Sequence, residues 1–484
     1  MRIKLLCLIV LVFFCLPPYD GNSFESVHGY RDERILTKLS EEFDKYIEIG
    51  NYSSNTKDVK METYKPSSNS SQLHLNVDIT KQINQSVKKE FGFEKNAVFR
   101  YIVYKKNYRS IKNNDGVNCL KIVNDDLNEI GKSKELMRSL DFSRQQLTTT
   151  FYLNITRNCS KFRHERGYIN HPLSENEYDF PLAFSILTYT DIELTERLLR
   201  LIYRPHNFYC VHIDSNMSQN DQRTLRNIAN CLSNVFIANE SIDVKWGGFS
   251  LLEAELSCMK TLWPYKNWKY YLNLAGQEFP LKTNRQIVAI LKVLDGANVV
   301  ERSRTVYENR YKMAKSPPPH NITLAKGSMH VAVNRYFVDF CLHDQRSLDF
   351  LDWLKQTKIP DETFFSSLNY NPHLGIKGSF IGDAETNKLT HFFLRFVIWK
   401  YPGINRCRGK YIRGICIIGV EDLHKAYHGK ELFVNKFNLD FEHIALDCLE
   451  EVLYEKTWVE YMKDLPVNTS YYRTLDYAKL QLKV

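Results

Sequence analysis

The sequence predicts an α/β fold: a mostly parallel sheet with helices packed on both faces. Three observations carry that expectation. Short apolar runs of strand length recur at 180–187, 208–214, 235–238 and 270–274. Between them, apolar residues fall three and four apart, the spacing of one helix face: Leu194, Leu198, Leu201 and Ile202, then Leu225, Ile228, Ala229 and Leu232. Strand and helix in alternation favour right-handed crossovers and parallel pairing.

Taken in order, the run 180–187 reads as a buried strand and 208–214 as its neighbour. Asp214 ends that second strand. In open α/β sheets ligands collect at the carboxyl ends of the strands, so Asp214 sits where a nucleotide would lie. After the third strand comes a glycine turn, Trp246-Gly247-Gly248-Phe249. Ser250 and Glu253 then read as a capping box, opening a helix with Leu252, Leu256 and Met259 on one face. The run 270–274 reads as a central strand, followed by a turn at 276–280 and a helix over 285–294. A loop at 302–325 carries Pro317, Pro318 and Pro319. Residues 327–337 resume sheet or helix, and 347–356 form an amphipathic helix. Pro360-Asp361-Glu362 opens another helix, with Pro suited to the first turn and the acids favoured by the helix dipole.

The 484 residues allow two or three domains, or one large domain with a tail. A hydrophobic fraction of 43% is enough for a core. The net charge of +9 is spread along the chain without a polybasic run, which argues against nucleic acid. The N-terminus has Arg2 and Lys4 before an apolar run from Leu5 to Leu16, stopped by Pro17 and Pro18. As a helix that run is about 18 Å long, against a hydrocarbon core of about 30 Å. By length it reads as a signal peptide over 1–19, with a short signal-anchor as the competing reading. Residues 20–118 read as a stem: 51–72 is polar and cannot bury much apolar surface, although weak helical patterns occur over 35–46. Acceptor sequons at Asn51, Asn69, Asn84, Asn154, Asn158, Asn216, Asn239, Asn321 and Asn468 fit entry into the secretory lumen, where cysteines oxidise. The 11 cysteines lack the close paired spacing of a zinc site.

Five stretches together carry a resemblance: 180–185 (FPLAFS), 207–214 (NFYCVHID), 250–259 (SLLEAELSCM), 272–280 (LNLAGQEFP) and 432–437 (LFVNKF). In this order they resemble the core 2 β-1,6-N-acetylglucosaminyltransferases, enzymes of mucin-type O-glycan branching. The likeness runs from about Cys119 to Cys448 and does not cover the residues before 118 or after about 453. It implies a catalytic domain over 119–484 with a glycosyltransferase-A type, Rossmann-like fold stapled by disulfides. It also implies a type II protein of the Golgi membrane with its catalytic domain in the lumen. The implied reaction is inverting transfer of GlcNAc from UDP-GlcNAc to the 6-hydroxyl of GalNAc in Gal-β-1,3-GalNAc O-glycans. The implied partners are a UDP-sugar and an O-glycosylated protein; homodimerisation is left open.

The resemblance further implies no cofactor and no divalent metal, and the sequence contains no Asp-x-Asp, the usual ligand pair. Some other charge must then stabilise the departing UDP. The matching positions are Arg413 and Lys436. Singly, each reads as a solvated surface cation. The matching base is Glu362, with Asp361 as rival; singly, both read as first-turn helix acids. Donor binding is implied for Leu187, Tyr189, Asp214 and Trp246. The family has Tyr at the Trp246 position, and Trp246 with Gly247-Gly248 is closer to the related peptide xylosyltransferases. Acceptor binding is implied for Glu301, Arg310, Trp399 and Tyr401, an aromatic platform with charged partners suited to a sugar. A further acceptor-binding cation is replaced by Tyr307. The implied disulfides are Cys119–Cys448, Cys159–Cys231, Cys210–Cys258 and Cys407–Cys416, leaving Cys341 as a buried free thiol. Ala275 stands where the family has a cysteine. Two alternatives remain at this point: a transferase of the same fold using UDP-glucose or UDP-xylose, and a secreted glycan-binding protein that has lost catalysis.

Overall fold

A six-stranded sheet in the order β3-β2-β1-β4-β7-β6 forms the centre of the fold. Its strands are β1 (Leu182–Thr188), β2 (Phe208–Ile213), β3 (Val235–Ile237), β4 (Tyr270–Ala275), β6 (Val299–Val300) and β7 (Val331–Asn334). The computed structural model describes residues 116–139, 147–303, 308–382, 391–403 and 406–483. All lie in the compact unit Asn84–Val484. The N-terminal apolar run and nearly all of the stem lie outside the described residues. Among those described, no helix is long and apolar enough to cross a membrane.

The first four strands are parallel: β2 pairs with β3, and β1 with both β2 and β4. Every residue of β1 is buried, as a strand covered on both faces requires. The sheet departs from parallel at β7, which runs antiparallel to β4 and β6. Helices α1 (Ile192–Ile202) and α2 (Gln219–Asn230) cover one part of the sheet, and α3 (Phe249–Leu262) packs against β1 and β2. Then come α4 (Asn284–Val293), α5 (Arg335–His343), α6 (Gln345–Leu354) and α7 (Asp361–Asn369). The predicted sheet-or-helix stretch 327–337 is both: an extended approach, β7, then the start of α5.

The capping box at Ser250 and Glu253 is not formed. Helix α3 begins at Phe249 with Gly248 as its cap residue. The left-handed Gly247 (φ 74°) turns the chain early, so Ser250 falls inside the first turn. Its Oγ accepts from the Lys245 N–H at 2.8 Å and closes the turn instead. A capping box does open α4, between Thr283 and Gln286.

A smaller three-stranded sheet, β5-β11-β8, is built from Glu278–Pro280, Phe433–Asn435 and Arg395–Phe396. A hairpin, β9 (Lys410–Ile412) with β10 (Ile415–Ile417), follows β8 in the chain. Helix α8 (Val420–His428) and the long α9 (His443–Met462) close the C-terminal side. Helices α1 and α9 are joined by buried ions: Arg197 pairs with Glu450 at 2.8 Å and Asp447 at 2.5 Å, and Arg200 with Glu450 at 3.0 Å. Leaving one such buried charge alone costs about 3–5 kcal/mol.

Four disulfides join Cys119 to Cys448, Cys159 to Cys231, Cys210 to Cys258 and Cys407 to Cys416; Cys341 is free and buried. Cys448 lies on α9 beside Asp447 and Glu450, so its bridge and the ion pairs hold the same helix. The first bridge spans 329 residues and the last spans 9. Loop-closure entropy then gives roughly 5–6 kcal/mol for the first and roughly 2–3 kcal/mol for the last. Replacing Cys119 and Cys448 by Ala should therefore lower stability about twice as much as replacing Cys407 and Cys416. Denaturant titration of the two double variants measures this, and equal losses would refute the loop-length account.

Candidate active site

The carboxyl ends of β1, β2 and β4 form one rim. Leu187 is buried near the end of β1, and Tyr189 just beyond it is 55% exposed. The Tyr189 hydroxyl reaches Gln277, in the turn after β4, at 3.5 Å. Asp214 follows β2 and is almost fully buried. Its carboxylate accepts from the backbone N–H groups of Asn216 and Val244 and from the Asn216 amide. His212 Nε2 accepts from the Ile242 N–H at 3.1 Å. These bonds fix the segment that leads to Trp246. Of the six tryptophans, only Trp246 (79%) and Trp399 (48%) are largely exposed. A flat apolar ring left in water beside a strand end is a surface suited to stacking.

Lys436 directly follows β11. Its carbonyl accepts from Ile418, and the next residue, Phe437, donates to the Gln277 carbonyl. Lys436 is thereby held against the same turn that Tyr189 reaches. Arg413 and Gly414 form the two-residue tip of the β9–β10 hairpin, both left-handed at φ 54° and 78°, the backbone of a type I′ turn. The Cys407–Cys416 bridge ties the hairpin's strand to its approach. Burial lowers the Lys436 pKa, and the neighbouring Arg413 charge lowers it further. The two cations are thus close enough to repel, and no carboxylate pairs with either among the described residues. Trp399 bridges to Ile415, and Lys400 donates to the Gly414 carbonyl, which seats Trp399 and Tyr401 beside this tip. Tyr401 is 52% exposed.

Glu362 lies in the first turn of α7. Its Oε2 accepts from Arg310 Nη1 at 2.8 Å and lies 3.5 Å from Lys326 Nζ. The backbone of this helix start touches the turn that carries Trp246: the Ile359 N–H donates to the Gly247 carbonyl. Glu301 follows β6, and burial raises its pKa while Lys326 opposes the rise. Asp361 is buried, with no partner for Oδ1, and burial followed by the Glu362 charge pushes its pKa up to about 7. Of the two adjacent acids, Glu362 is the accessible one.

Residues 182–426 match the family model for the Core-2/I-branching enzymes. The chain belongs to that family. It is 34% identical over 365 residues to a β-1,3-galactosyl-O-glycosyl-glycoprotein β-1,6-N-acetylglucosaminyltransferase of Bos taurus, covering 70% of this chain and 85% of the relative. The Homo sapiens protein of the same name is 34% identical over 368 residues, with the same coverage. An N-acetyllactosaminide β-1,6-N-acetylglucosaminyl-transferase of Mus musculus is 37% identical over 325 residues, covering 62% of this chain and 79% of the relative. As a Core-2/I-branching enzyme, the protein is a glycosyltransferase.

Two features of this branching enzyme escape a reading of its sequence. Tyr307 lies outside the described residues, yet Lys326 brings a cation to Glu362; no local motif marks it. The second is a buried ionic centre at Glu278. Its carboxylate pairs with Arg395 Nε at 3.0 Å and His330 Nε2 at 3.2 Å, and accepts from the Asn435 amide at 2.7 Å and the Ala275 N–H at 3.0 Å. Arg395 also donates to the Asn273 carbonyl. Although burial opposes it, the Arg395 charge and the Ala275 N–H hold Glu278 below its ordinary pKa; burial takes His330 down to about 4, so it meets Glu278 as a neutral imidazole near pH 7. A glutamate in a Gly-Gln-Glu turn reads as solvated, which is why the sequence does not reveal it.

The buried acid makes stability pH-dependent. Native Asp361 keeps its proton up to about pH 7, whereas an unfolded aspartate loses it near pH 4. That contribution is complete below about pH 4 and is lost as pH rises through about 7. Asp361→Asn should therefore gain on the wild type as pH rises across that window, by at most about 1.4 kcal/mol per pH unit. Thermal melts of both proteins across the window test this; a constant difference would contradict it.

Proposed function

We propose that this enzyme is an inverting β-1,6-N-acetylglucosaminyltransferase that uses UDP-GlcNAc and builds core 2 branches. The acceptor hydroxyl is the 6-OH of GalNAc in Gal-β-1,3-GalNAc on a glycoprotein. The relatives' names, which specify a β-1,6 linkage and a β-1,3-galactosyl O-glycoprotein, support that acceptor class. The observation that carries the mechanism is a difference in how charge is paired. One carboxylate, Glu362, is held by cations; two other cations, Arg413 and Lys436, have no counter-ion among the described residues.

In this reading the uracil and ribose lie along Leu187, Tyr189, Asp214 and Trp246, and the diphosphate meets Arg413 and Lys436. The acceptor disaccharide stacks on Trp399 and Tyr401, with Glu301 and Arg310 at its hydroxyls. The 6-hydroxyl oxygen attacks C1 of GlcNAc from the face opposite the diphosphate. The C1–O bond breaks and its electron pair leaves on the phosphate oxygen. The hydroxyl proton passes to Glu362. One displacement inverts the anomeric centre, and a phosphate leaving group needs no acid. The two cations stabilise the charge that grows on UDP, the task that a metal performs where Asp-x-Asp is present. A Golgi lumenal domain, anchored by the N-terminal segment, is part of the same proposal. Trp246 beside Gly247-Gly248 is the one feature that favours UDP-xylose as donor, so the donor test includes it.

Glu362→Gln should bind UDP-GlcNAc as the wild type does and lose transfer by about 100-fold or more. Calorimetry and UDP release with a Gal-β-1,3-GalNAc acceptor read the two parts, and comparable turnover would remove Glu362 from the mechanism. Transfer should also persist in EDTA, whereas Arg413→Ala should lower kcat by about 100-fold. Abolition by chelator, restored by manganese, would overturn the two-cation account. UDP release across UDP-GlcNAc, UDP-glucose and UDP-xylose decides the donor.

A further inference from the structure

We infer that Lys326 is a positioning residue for transfer: with Arg310 it fixes one oxygen of Glu362 and leaves the other as the atom that receives the acceptor's proton. This inference rests on the reading of Glu362 as the base. Both cations address the same atom. Arg310 Nη1 and Lys326 Nζ both lie against Oε2, and Oε1 has no hydrogen bond or ion pair among the described residues. A carboxylate held at one oxygen cannot rotate freely, so its other oxygen keeps a fixed direction.

The backbone around Lys326 holds the ammonium in this place. Residues 325–327 run as a strap along α7. The Ala325 N–H donates to Ser367 Oγ at 3.0 Å, the Lys326 carbonyl accepts from the Ser303 N–H at 2.6 Å, and the Gly327 N–H donates to the Glu362 carbonyl at 2.8 Å. A Cβ on Gly327 would overlap the Glu301 carbonyl and the Ser366 hydroxyl, so only glycine lets the strap lie this close. Lys326 is thereby clamped between the segment after Glu301 and the helix of Glu362.

The charges facing Glu362 come from three elements. Arg310 comes from the loop after β6, Lys326 from the strap, and Asp361 from its own helix; Glu301, at the end of β6, acts at longer range. Lys326 is the cation that interacts with both Glu301 and Glu362. Without it, Arg310 alone faces the base, and the neighbouring acids are less balanced. Losing a cation beside a carboxylate favours the protonated form, which cannot accept a proton.

Lys326→Met removes the charge and keeps the length; Lys326→Arg keeps the charge. Acceptor kcat/KM is measured from about pH 5 to about pH 8, and UDP-GlcNAc affinity by calorimetry. Lys326→Met should lower acceptor kcat/KM by about 10-fold or more near neutrality and move the acid limb to higher pH, with donor affinity within about twofold. Lys326→Arg should recover most of the rate and the original limb. Lys326→Gln is read the same way, so a folding defect in one variant does not decide the outcome. Wild-type rate and limb in Lys326→Met, with Glu362→Gln inactive, would overturn the inference and leave the base reading intact. Loss of donor binding in both neutral variants would also overturn it, by making Lys326 structural. Full turnover by Glu362→Gln would instead remove the base reading itself.

Discussion

The buried carboxylate of Glu278 joins the parts of the molecule on which the cleft depends. It ties the end of β4, through Ala275, to Arg395 on β8 and Asn435 on β11. Asn435 immediately precedes Lys436. His330, on the same carboxylate, lies at the end of the segment that runs from Lys326 and Gly327 toward β7. A charge taken out of water is costly unless several partners replace the solvent, and here four do. Removing the carboxylate would leave Arg395 buried without its counter-ion. It would also remove the side-chain bond to Asn435, the residue before Lys436. The ion pair is therefore better understood as fixing one geometry than as adding stability, since a buried pair contributes little net energy over an apolar substitute.

A second constraint links the Trp246 turn to Glu362. Ile359 is left-handed (φ 53°), a conformation that a β-branched residue adopts at a cost of about 1–3 kcal/mol. Its N–H donates to Gly247 and its carbonyl accepts from Glu362. The turn that carries Trp246 and the helix that carries Glu362 are therefore attached to the same strained residue. Strain persists only where the surroundings over-determine it. Here the surroundings are the turn that exposes the tryptophan and the helix that presents the acid.

How much of this was legible in the sequence follows from how local each signal is. The parallel strands were legible because each is an apolar run covered on both faces, and β1 through β4 need no distant information. Asp214 was legible because strand-end position alone places it on the rim. The partners of Glu278 were not, because β5, β8 and β11 meet across more than a hundred residues of chain, and no periodicity encodes that meeting. Ser250 misled for the opposite reason: its local pattern is a good cap, but the Gly247 turn had already started the helix. Lys326 was silent because a lone lysine in a loop has the same local appearance whether it faces water or an acid. The exposure of Trp246 and Trp399 is a tertiary fact that no local pattern encodes.

The cleft treats its cations in two ways, and the difference follows from where each chain segment can find a carboxylate. Arg310 and Lys326 meet Glu362, so their charge is already balanced before any ligand arrives. Arg413 sits at a hairpin tip and Lys436 just after β11, the middle strand of the small sheet, and no carboxylate pairs with either among the described residues. Two such cations held close repel: burial lowers the Lys436 pKa, and the Arg413 charge adds to that lowering. An anion that enters between them relieves that repulsion and gains both attractions. A diphosphate gains most when its charge rises, as it does when the bond to the sugar breaks. The same pair placed beside Glu278 or Glu362 would be neutralised in the resting protein and would have little to offer an entering anion. Glu362 opens α7, whereas Arg413 and Lys436 stand on the β9–β10 hairpin and after β11; the proposed transfer draws on that difference, with the proton going to the acid and the leaving group to the two cations.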